Sequence, residues 1–461
     1  MTQRKEKDLL GEREIPEGVY WGIHTVRARE NFILSGQPVS RALVRAIAAV
    51  KKAAAQANQE LGFLNDEQGR VIQEACQDII DGKYADQFPV DALQGGAGTS
   101  TNMNVNEVVA NLANKRLENV KGGCVPIHPL EHVNLHQSTN DVYPTALKAA
   151  AILKLRELSA EIETLQGAFQ RKEKAFADTI KVGRTEMQEA VPMTLGAEFG
   201  AFAEAVSRDR WRTFKCEERL RVVNIGGTAV GTGLTAPREY IFLVIEKLRA
   251  LTGLGICRGE NVPGETANSD VFVEVSGILK AHAANLIKTA EDLRLLSLLG
   301  ELRLPAVQAG SSVMPGKVNP VILEAVIQAG FKVMANDSLI TESASRATLQ
   351  INEFLPLLAD ALLKSLDLLT AANRMYSRHI EGIEACPERC AGYLERSRSI
   401  VTAFLPHIGY PGAEELLAEF KKESGVNFKD FLIQRLGQDL VEKVLSPEQL
   451  MSLGYRHEKH T

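Results

Sequence analysis

The sequence predicts a mostly α-helical protein built around an unusually long central bundle, roughly residues 141–386. Long stretches of that region lack proline. In one of them, residues 145–191, apolar side chains recur at spacings of three, four or seven, the period of a helix that buries one face. Strand-like alternation is rare. Helices of this length cannot bury both sides within one chain, so we expect a bundle formed between subunits.

Two smaller helical segments flank this bundle. We therefore expect three domains: an N-terminal mostly helical domain (1–140), the central long-helix domain (141–386) and a small C-terminal helical domain (387–461). A chain of 461 residues is long enough for about three domains.

Composition excludes several classes of protein. A net charge of −5 gives no basic field for nucleic acid or an anionic membrane. The uncharged run 222–237 is too short and too rich in Gly and Thr to span a bilayer, and the charged first dozen residues do not resemble a secretory signal. Six cysteines form no disulfide framework, and Cys386 and Cys390 are expected to be reduced thiols. We expect a cytoplasmic protein.

Four polar segments each precede a helical run: "GGAGTSTNMN" (95–104), "HQSTNDVYP" (136–144), "GRTEMQEAVP" (183–192) and "GSSVMPGKVNP" (310–320). Taken singly, each is most simply a capping segment. Their recurrence predicts a shared pocket built from helix ends, which suits a small, multiply anionic substrate.

The last of these segments carries the sharpest signals. Asn319 and Pro320 read as N-cap and first residue of a helix, which would place Lys317 at a positively polarised helix end. The alternative is a capped helix start with a solvated lysine.

Other site types fit less well. Gly310 and Gly316 are one residue too far apart for a phosphate-binding P-loop, and "GGAGTS" does not follow a predicted strand, as a dinucleotide fingerprint requires. The three histidines of 128–136 are spaced for one helix face, but the prolines among them disfavour that helix. We expect neither a cofactor nor a metal.

The 310–320 segment resembles the signature loop of the aspartase/fumarase superfamily. Further blocks resemble that family in family order over nearly the whole chain: "DLLGEREIPEGVYWGIHT", "QGGAGTSTNMNVNEV", "HQSTNDVYPT", "GRTEMQEAVPMTLG" and "GGTAVGTGL". "GGAGTS" and "AVPMTLG" resemble the aspartate ammonia-lyases more than the fumarate hydratases. The resemblance implies an all-α, three-domain fold, a homotetramer around a shared helical core, and active sites assembled from loops of three chains.

The family reaction is the reversible anti-elimination of ammonia from L-aspartate to give fumarate. The resemblance makes Ser311 the base, its alkoxide stabilised by loop amides and Lys317. It implies that the loop opens for substrate and closes for chemistry. It assigns Thr99, Ser138, Thr139 and the Ser312 amide to the aci-carboxylate, Lys317, Asn319 and Thr185 to the other carboxylate, and Asn140 to the amine.

Two departures from the family pattern bear on the substrate. Glu186 stands where relatives usually carry His, or in some aspartases Gln, and the glutamate that pairs with that His is retained as Glu324. The segment 297–305 is shortened and lacks the usual "SGPRAGL". We expect Glu186 to contact the leaving amine; the alternative is that it caps the following helix.

Four functions stay open at this point. An ammonia-lyase for L-aspartate leads, followed by a lyase removing ammonia or a substituted amine from another amino acid. Fumarate hydration ranks lower. A catalytically silent oligomeric paralogue is disfavoured because Ser311, Lys317, Asn319 and the "STN" triplet (138–140) are all present.

Overall fold

The computed structural model describes residues 2–118 and 121–455 and confirms the mostly α-helical expectation. The helices are α1 (Ile23–Asn31), α2 (Arg41–Glu60), α3 (Asp66–Ile80), α4 (Thr99–Arg116), α5 (Thr139–Ala175), α6 (Leu195–Leu220), α7 (Arg238–Thr252), α8 (Val262–Ala267), α9 (Asp270–Leu299), α10 (Val321–Ser345), α11 (Leu355–Glu381), α12 (Pro387–Arg396), α13 (Leu405–Phe420), α14 (Phe428–Leu436), α15 (Gln438–Val444) and α16 (Pro447–Met451).

Strands occur in short pairs. The strands are β1 (Gln3–Asp8), β2 (Gly11–Pro16), β3 (Ile180–Thr185), β4 (Gln188–Thr194), β5 (Val222–Val223), β6 (Cys257–Arg258), β7 (Leu302–Arg303) and β8 (Glu384–Ala385). β5 and β6 pair in parallel, and β1–β2, β3–β4 and β7–β8 are antiparallel.

The hairpin β3–β4 corrects the sequence reading of 183–192 as a helix-capping loop. Both strands contain residues that weaken a strand prediction, Gly183 in β3 and Pro192 in β4. The register shifts between Val182 and Arg184, so a bulge absorbs the glycine. The following helix, α6, begins only at Leu195.

The described residues form two compact units. The first unit takes its described residues from 2–118, 121–159, 211–283 and 331–369, and the second from 160–210, 284–330 and 370–455. The long helices α5, α6, α9, α10 and α11 each contribute residues to both. The three-domain division made from the sequence stays a prediction.

In the first unit, α4 is buried along nearly its whole length although it is rich in asparagine. Its polar side chains bond to neighbouring backbone: Asn104 donates to the Gln87 carbonyl, Asn111 to Tyr20 and Asn114 to Ile127, at 3.1, 2.8 and 2.9 Å. Buried polar groups require such partners. The asparagines therefore fix the position of α4 along its length.

The N-termini of α4 and α5 approach each other closely. Gly98 precedes α4 with φ of +93°, and a Cβ there would come within 2.3 Å of the Tyr143 ring on α5. Asn102 donates from Nδ2 to Thr139 Oγ1 at 3.1 Å. Only glycine fits at residue 98 without strain. The close approach of the two helix ends therefore depends on Gly98.

The second unit has two apolar centres. Phe169, Phe199, Phe202 and Tyr376 form an aromatic cluster with ring centroids 5.6 to 6.2 Å apart. A separate core gathers apolar side chains of the C-terminal helices, including Phe404, Phe428 and Phe431, and includes Val182 of β3. The base of the β3–β4 hairpin is thereby anchored to the C-terminal segment.

Several long helices carry large apolar side chains that this chain leaves exposed. Trp211 and Phe214 on α6 are 65% and 64% exposed, Leu298 on α9 is 83% exposed, and Phe331 on α10 is 58% exposed. None of the helices in the described part of the chain is both long enough and apolar enough to cross a membrane.

Candidate active site

The first unit brings together four of the residues singled out from the sequence. Thr99 is the first residue of α4 and Thr139 the first of α5, with Ser138 and Asn140 on either side of Thr139. The backbone N–H of Asn140 donates to Ser138 Oγ at 3.2 Å, and Asn102 joins Thr139 to the first turn of α4. Two helix N-termini that meet in this way offer unpaired N–H groups to an anion.

The Asn140 and Thr99 side chains are engaged within the chain. Asn140 Nδ2 donates to the Ala229 carbonyl at 2.7 Å, and Thr99 Oγ1 donates to Gly96 at 2.8 Å. These contacts tie the "STN" triplet to the "GGTAVGTGL" block and hold the glycine-rich turn before α4. Donation to a substrate carboxylate would require the Thr99 hydroxyl to exchange its partner, whereas Asn140 keeps Oδ1 as an acceptor for an amine.

A buried carboxylate, Asp141, fastens the triplet from behind. Its oxygens accept from the backbone N–H groups of Ser138, Gly226 and Thr228 at 3.0, 3.1 and 2.9 Å. Desolvation raises the pKa of Asp141 to about 7. The three amide N–H groups stabilise the carboxylate and offset part of that rise in pKa.

Lys51 of α2 is the second buried group that sequence reasoning missed. It is fully buried and donates from Nζ to Asn134 Oδ1 at 2.7 Å. Burial lowers its pKa to about 7, and the Asp141 carboxylate opposes that shift. A lysine on the apolar face of an alanine-rich helix was the available signal, because lysine is almost never fully buried without a partner.

The second unit holds the signature loop, Gly310–Pro320. The Gly310 N–H donates to the Lys317 carbonyl and Asn319 Nδ2 donates to the Gly310 carbonyl, both at 2.7 Å. A Cβ on Gly310 would lie 2.7 Å from that Lys317 oxygen, so glycine is required for the closure. Gly316, with φ of +82°, makes the turn at the far side of the loop.

The N-cap reading of Asn319 is wrong by one residue. The first helical bond of α10 runs from the Glu324 N–H to the Pro320 carbonyl, and the helix begins at Val321. The Asn319 side chain closes the loop instead of capping the helix, because the Gly310 carbonyl lies within its reach.

Ser311 lies where backbone donors converge on its hydroxyl. Its Oγ accepts from the N–H groups of Val313 and Met314 at 3.1 and 2.8 Å. Two preorganised amides favour negative charge on that oxygen. The Ser312 and Lys317 side chains on the same loop are exposed, and within residues 2–118 and 121–455 neither has a hydrogen bond or ion pair.

Thr185 and Glu186 stand at the exposed tip of the β3–β4 hairpin. Glu186 and Met187 both have positive φ, +53° and +58°, and Met187 is 75% exposed. Such a turn normally takes Asn or Gly, so the two side chains hold a strained backbone. The alternative that Glu186 turns outward and caps the next helix is wrong in its second part: Glu186 is exposed, but α6 begins nine residues later at Leu195.

Glu324 lies in the first turn of α10 and is partly buried. Among the residues that the structure describes, no side-chain hydrogen bond or ion pair engages either Glu324 or Glu186. Their proximity stays a prediction.

An ion cluster that the sequence did not reveal supports the hairpin. Glu301 is fully buried; its Oε1 accepts from Arg184 at 2.7 Å and its Oε2 lies 3.0 Å from Lys181 Nζ. Lys181 also donates to Glu198 at 2.6 Å. Glu301 lies within the shortened segment 297–305, just after α9, so this carboxylate connects that segment to the strand that ends in Thr185. A lone glutamate in the apolar run "LLGELRLP" was the available signal.

Metal ligands are not grouped in the described ranges: no cluster of three or more His, Cys, Asp or Glu side chains there could hold an ion.

Comparison with protein families gives a consistent assignment. A family described as lyase matches residues 11–335. Aspartate ammonia-lyase from Pseudomonas aeruginosa is 44% identical over 462 residues, covering 98% of this chain and 97% of that protein. The aspartate ammonia-lyase of Escherichia coli is 41% identical over 469 residues, covering 99% and 98%.

Solved structures agree in fold. A fumarate lyase:delta crystallin from Brucella melitensis, bound to cobalt, is 44% identical with a TM-score of 0.94, covering 98% of this chain and all of that one. A class II fumarase from Schistosoma mansoni is 29% identical with a TM-score of 0.90, covering 97% of this chain and 98% of that one.

The Glu301 cluster generates a stability prediction. Glu301→Gln leaves the Arg184 guanidinium and the Lys181 ammonium without their shared buried anion. The free energy of unfolding should therefore fall by about 3 kcal/mol. The measurement is the urea midpoint, followed by circular dichroism at matched protein concentration. The control is Glu384→Gln, which breaks an exposed pair with Arg303 and should hardly move the midpoint. Equal midpoints in the two variants would contradict the anchoring role.

Proposed function

The chain belongs to the lyase family, and we propose that it is a carbon–nitrogen lyase that reversibly removes ammonia from L-aspartate by anti-elimination, giving fumarate. The observation that carries this proposal is similarity to aspartate ammonia-lyases over 98% of the chain at 44% identity. The site chemistry agrees, since helix ends, a lysine and small hydroxyl side chains suit a dicarboxylic substrate.

The difficult step is removal of a proton from the carbon next to a carboxylate. The C–H is weakly acidic, and its electron pair spreads into the neighbouring carboxylate to form an aci-carboxylate. Ammonia then leaves from the adjacent carbon. Donors aimed at the developing charge supply most of the help, with a single such donor contributing about 3–4 kcal/mol.

We assign the base to Ser311. A serine hydroxyl is a weak base until its alkoxide is stabilised, and the Val313 and Met314 amides already point at Oγ. Lys317 on the same loop adds a full positive charge. The Gly310 N–H to the Lys317 carbonyl and Asn319 Nδ2 to the Gly310 carbonyl close the loop that carries these donors.

The remaining substrate-binding roles are assigned to residues at the helix N-termini, on the signature loop and at the hairpin tip. Thr99, Ser138 and Thr139 at the N-termini of α4 and α5, with the Ser312 amide, would hold the aci-carboxylate. Lys317, Asn319 and Thr185 would hold the second carboxylate, and Asn140 and Glu186 the amine, with Glu324 behind them.

We also propose a homotetramer in which each site combines loops from different subunits. Its support is the exposed apolar surface of the long helices, such as Trp211 on α6 and Leu298 on α9, which a single chain leaves in water. The hairpin tip, which is exposed and strained, is suited to reach into a neighbouring subunit. The three-domain division and the cytoplasmic location stay predictions.

A second candidate is a lyase that removes a substituted amine from a different amino acid. The observation that favours it is Glu186 itself, an exposed carboxylate at the hairpin tip that is not engaged elsewhere in the described chain. A carboxylate attracts any cationic amine, so it does not by itself select ammonia as the leaving group. Fumarate hydration and a silent paralogue have no such observation in their favour.

Fumarate formation from L-aspartate, followed by absorbance, tests both the substrate and the base. The wild type should produce fumarate, and Ser311→Ala should lower kcat by several orders of magnitude. Ser312→Ala is the matched control, because it keeps the backbone amide and should retain most activity. Ser311→Ala activity within about tenfold of wild type, which is about 1.4 kcal/mol, would remove Ser311 from the base role. No fumarate from wild type would exclude aspartate.

Glu186→Gln tests the amine contact. A charge-assisted hydrogen bond contributes about 1.5–3 kcal/mol, so KM for L-aspartate should rise by about tenfold or more. Inhibition by succinate, which has both carboxylates but no amine, should not weaken. Equal loss of affinity for aspartate and succinate, or no change for either, means that Glu186 does not bind the amine.

A further inference from the structure

The second unit contains a cavity of about 390 Å³ that is separate from the residues assigned above. This volume lies in the range of about 300–1,000 Å³ that small-molecule sites occupy. Its walls come from the last turns of α11, the segment after β7 and the first turn of α10, through Pro305, Val307, Ile322, Ala371, Arg374, Met375, Arg378 and His379.

His379 is the unusual member of this wall. It is only 5% exposed, and neither ring nitrogen has a hydrogen-bond partner among the described residues. Burial lowers the pKa of His379, so the free ring is neutral, with one N–H donor and one acceptor. Buried polar atoms left unpaired are costly, and two on one side chain call for a partner from outside the chain.

Two arginines supply positive charge at the same cavity. Arg374 is paired with Glu161 at 2.7 Å. Arg378 is exposed, and no ion pair or hydrogen bond engages its side chain in the described ranges. It is therefore free to bind an anion, and guanidinium groups match carboxylates in geometry.

The rest of the wall is apolar, contributed by Pro305, Val307, Ile322 and Met375. A strongly hydrated ion such as sulfate gains nothing from such a surface, whereas a ligand with a hydrocarbon body does. A neutral His, a free Arg and an apolar wall together favour an organic carboxylate. A bound carboxylate would pair with Arg378, and it would accept the His379 N–H once the ring turns its buried nitrogens toward the cavity.

The position of the cavity relates it to catalysis. Pro305 and Val307 precede the signature loop and Ile322 follows it, so both stems of the loop form part of one wall. Pro305 packs closely against Gly382, where an added Cβ would lie 2.6 Å from the proline ring. A ligand here would contact both ends of a loop that must open and close.

We propose that this cavity is a second, non-catalytic binding site for a small organic carboxylate with an apolar body, held by His379 and Arg378, and that its occupant restrains the stems of the signature loop.

Titration calorimetry of the full-length protein with benzoate tests the site. Benzoate has one carboxylate on an apolar ring and lacks the second carboxylate of the proposed substrate. It should bind wild type, and Arg378→Ala and His379→Phe should each weaken binding at least tenfold. Arg378 is exposed, so its variant should fold even if the other does not. His407→Phe, at an exposed histidine, and Thr185→Val, in the proposed active site, should bind within twofold of wild type.

Cleavage by trypsin after Lys317 tests the restraint. Saturating benzoate should slow that cut in wild type and leave its rate unchanged in Arg378→Ala. Absence of binding, equal affinity in all variants, or a crystal soaked in benzoate with only water at His379 would overturn the site. Loss of affinity in Thr185→Val would instead place benzoate in the active site. Binding without any change in cleavage would overturn the restraint. None of these readouts needs turnover, so they stand apart from the aspartate assay.

Discussion

The length of the central helices is the constraint on which the other features depend. Helix α5 has 37 residues, about 55 Å at 1.5 Å per residue. A single chain does not cover such helices, and Trp211, Phe214 and Leu298 remain exposed on α6 and α9. Each of these helices also leaves the first four N–H groups at its N-terminus without a partner inside the helix. The apolar flanks therefore favour association, and the ends favour anions. The long helices therefore bear both on subunit association, through their apolar flanks, and on anion binding, through their N-termini.

Each unit contains a buried carboxylate behind residues that we propose bind the substrate. Asp141 accepts three backbone N–H groups behind the "STN" triplet, and Glu301 faces Arg184 and Lys181 behind the hairpin that carries Thr185. A charge this deeply buried is tolerated only when donors surround it. The same donors then cannot move independently. Preorganisation of this kind is what an elimination through a charged intermediate requires.

The sequence predicted the helical class, the lyase family and the polar segments, because helix period and loop composition are local signals. It missed hairpin β3–β4, whose Gly183 and Pro192 weaken any strand signal. Lys51 and Glu301 also escaped, since their partners lie 83 residues away or more. The start of α10 was predicted one residue too early, because an asparagine side chain can either cap a helix or close a loop. Contacts between residues far apart in the sequence decide which of these alternatives forms. A local sequence pattern does not contain that information.

The central claim is that one active site draws on several chains, and mixed tetramers test it most directly. Ser311→Ala and Thr185→Val, each inactive alone, are unfolded together, refolded and assayed for fumarate from L-aspartate. If the two residues reach a site from different subunits, about a quarter of the sites in an equal mixture regain both wild-type groups, and activity recovers in part. No recovery in tetramers shown to contain both variants would mean that each site is built within one chain.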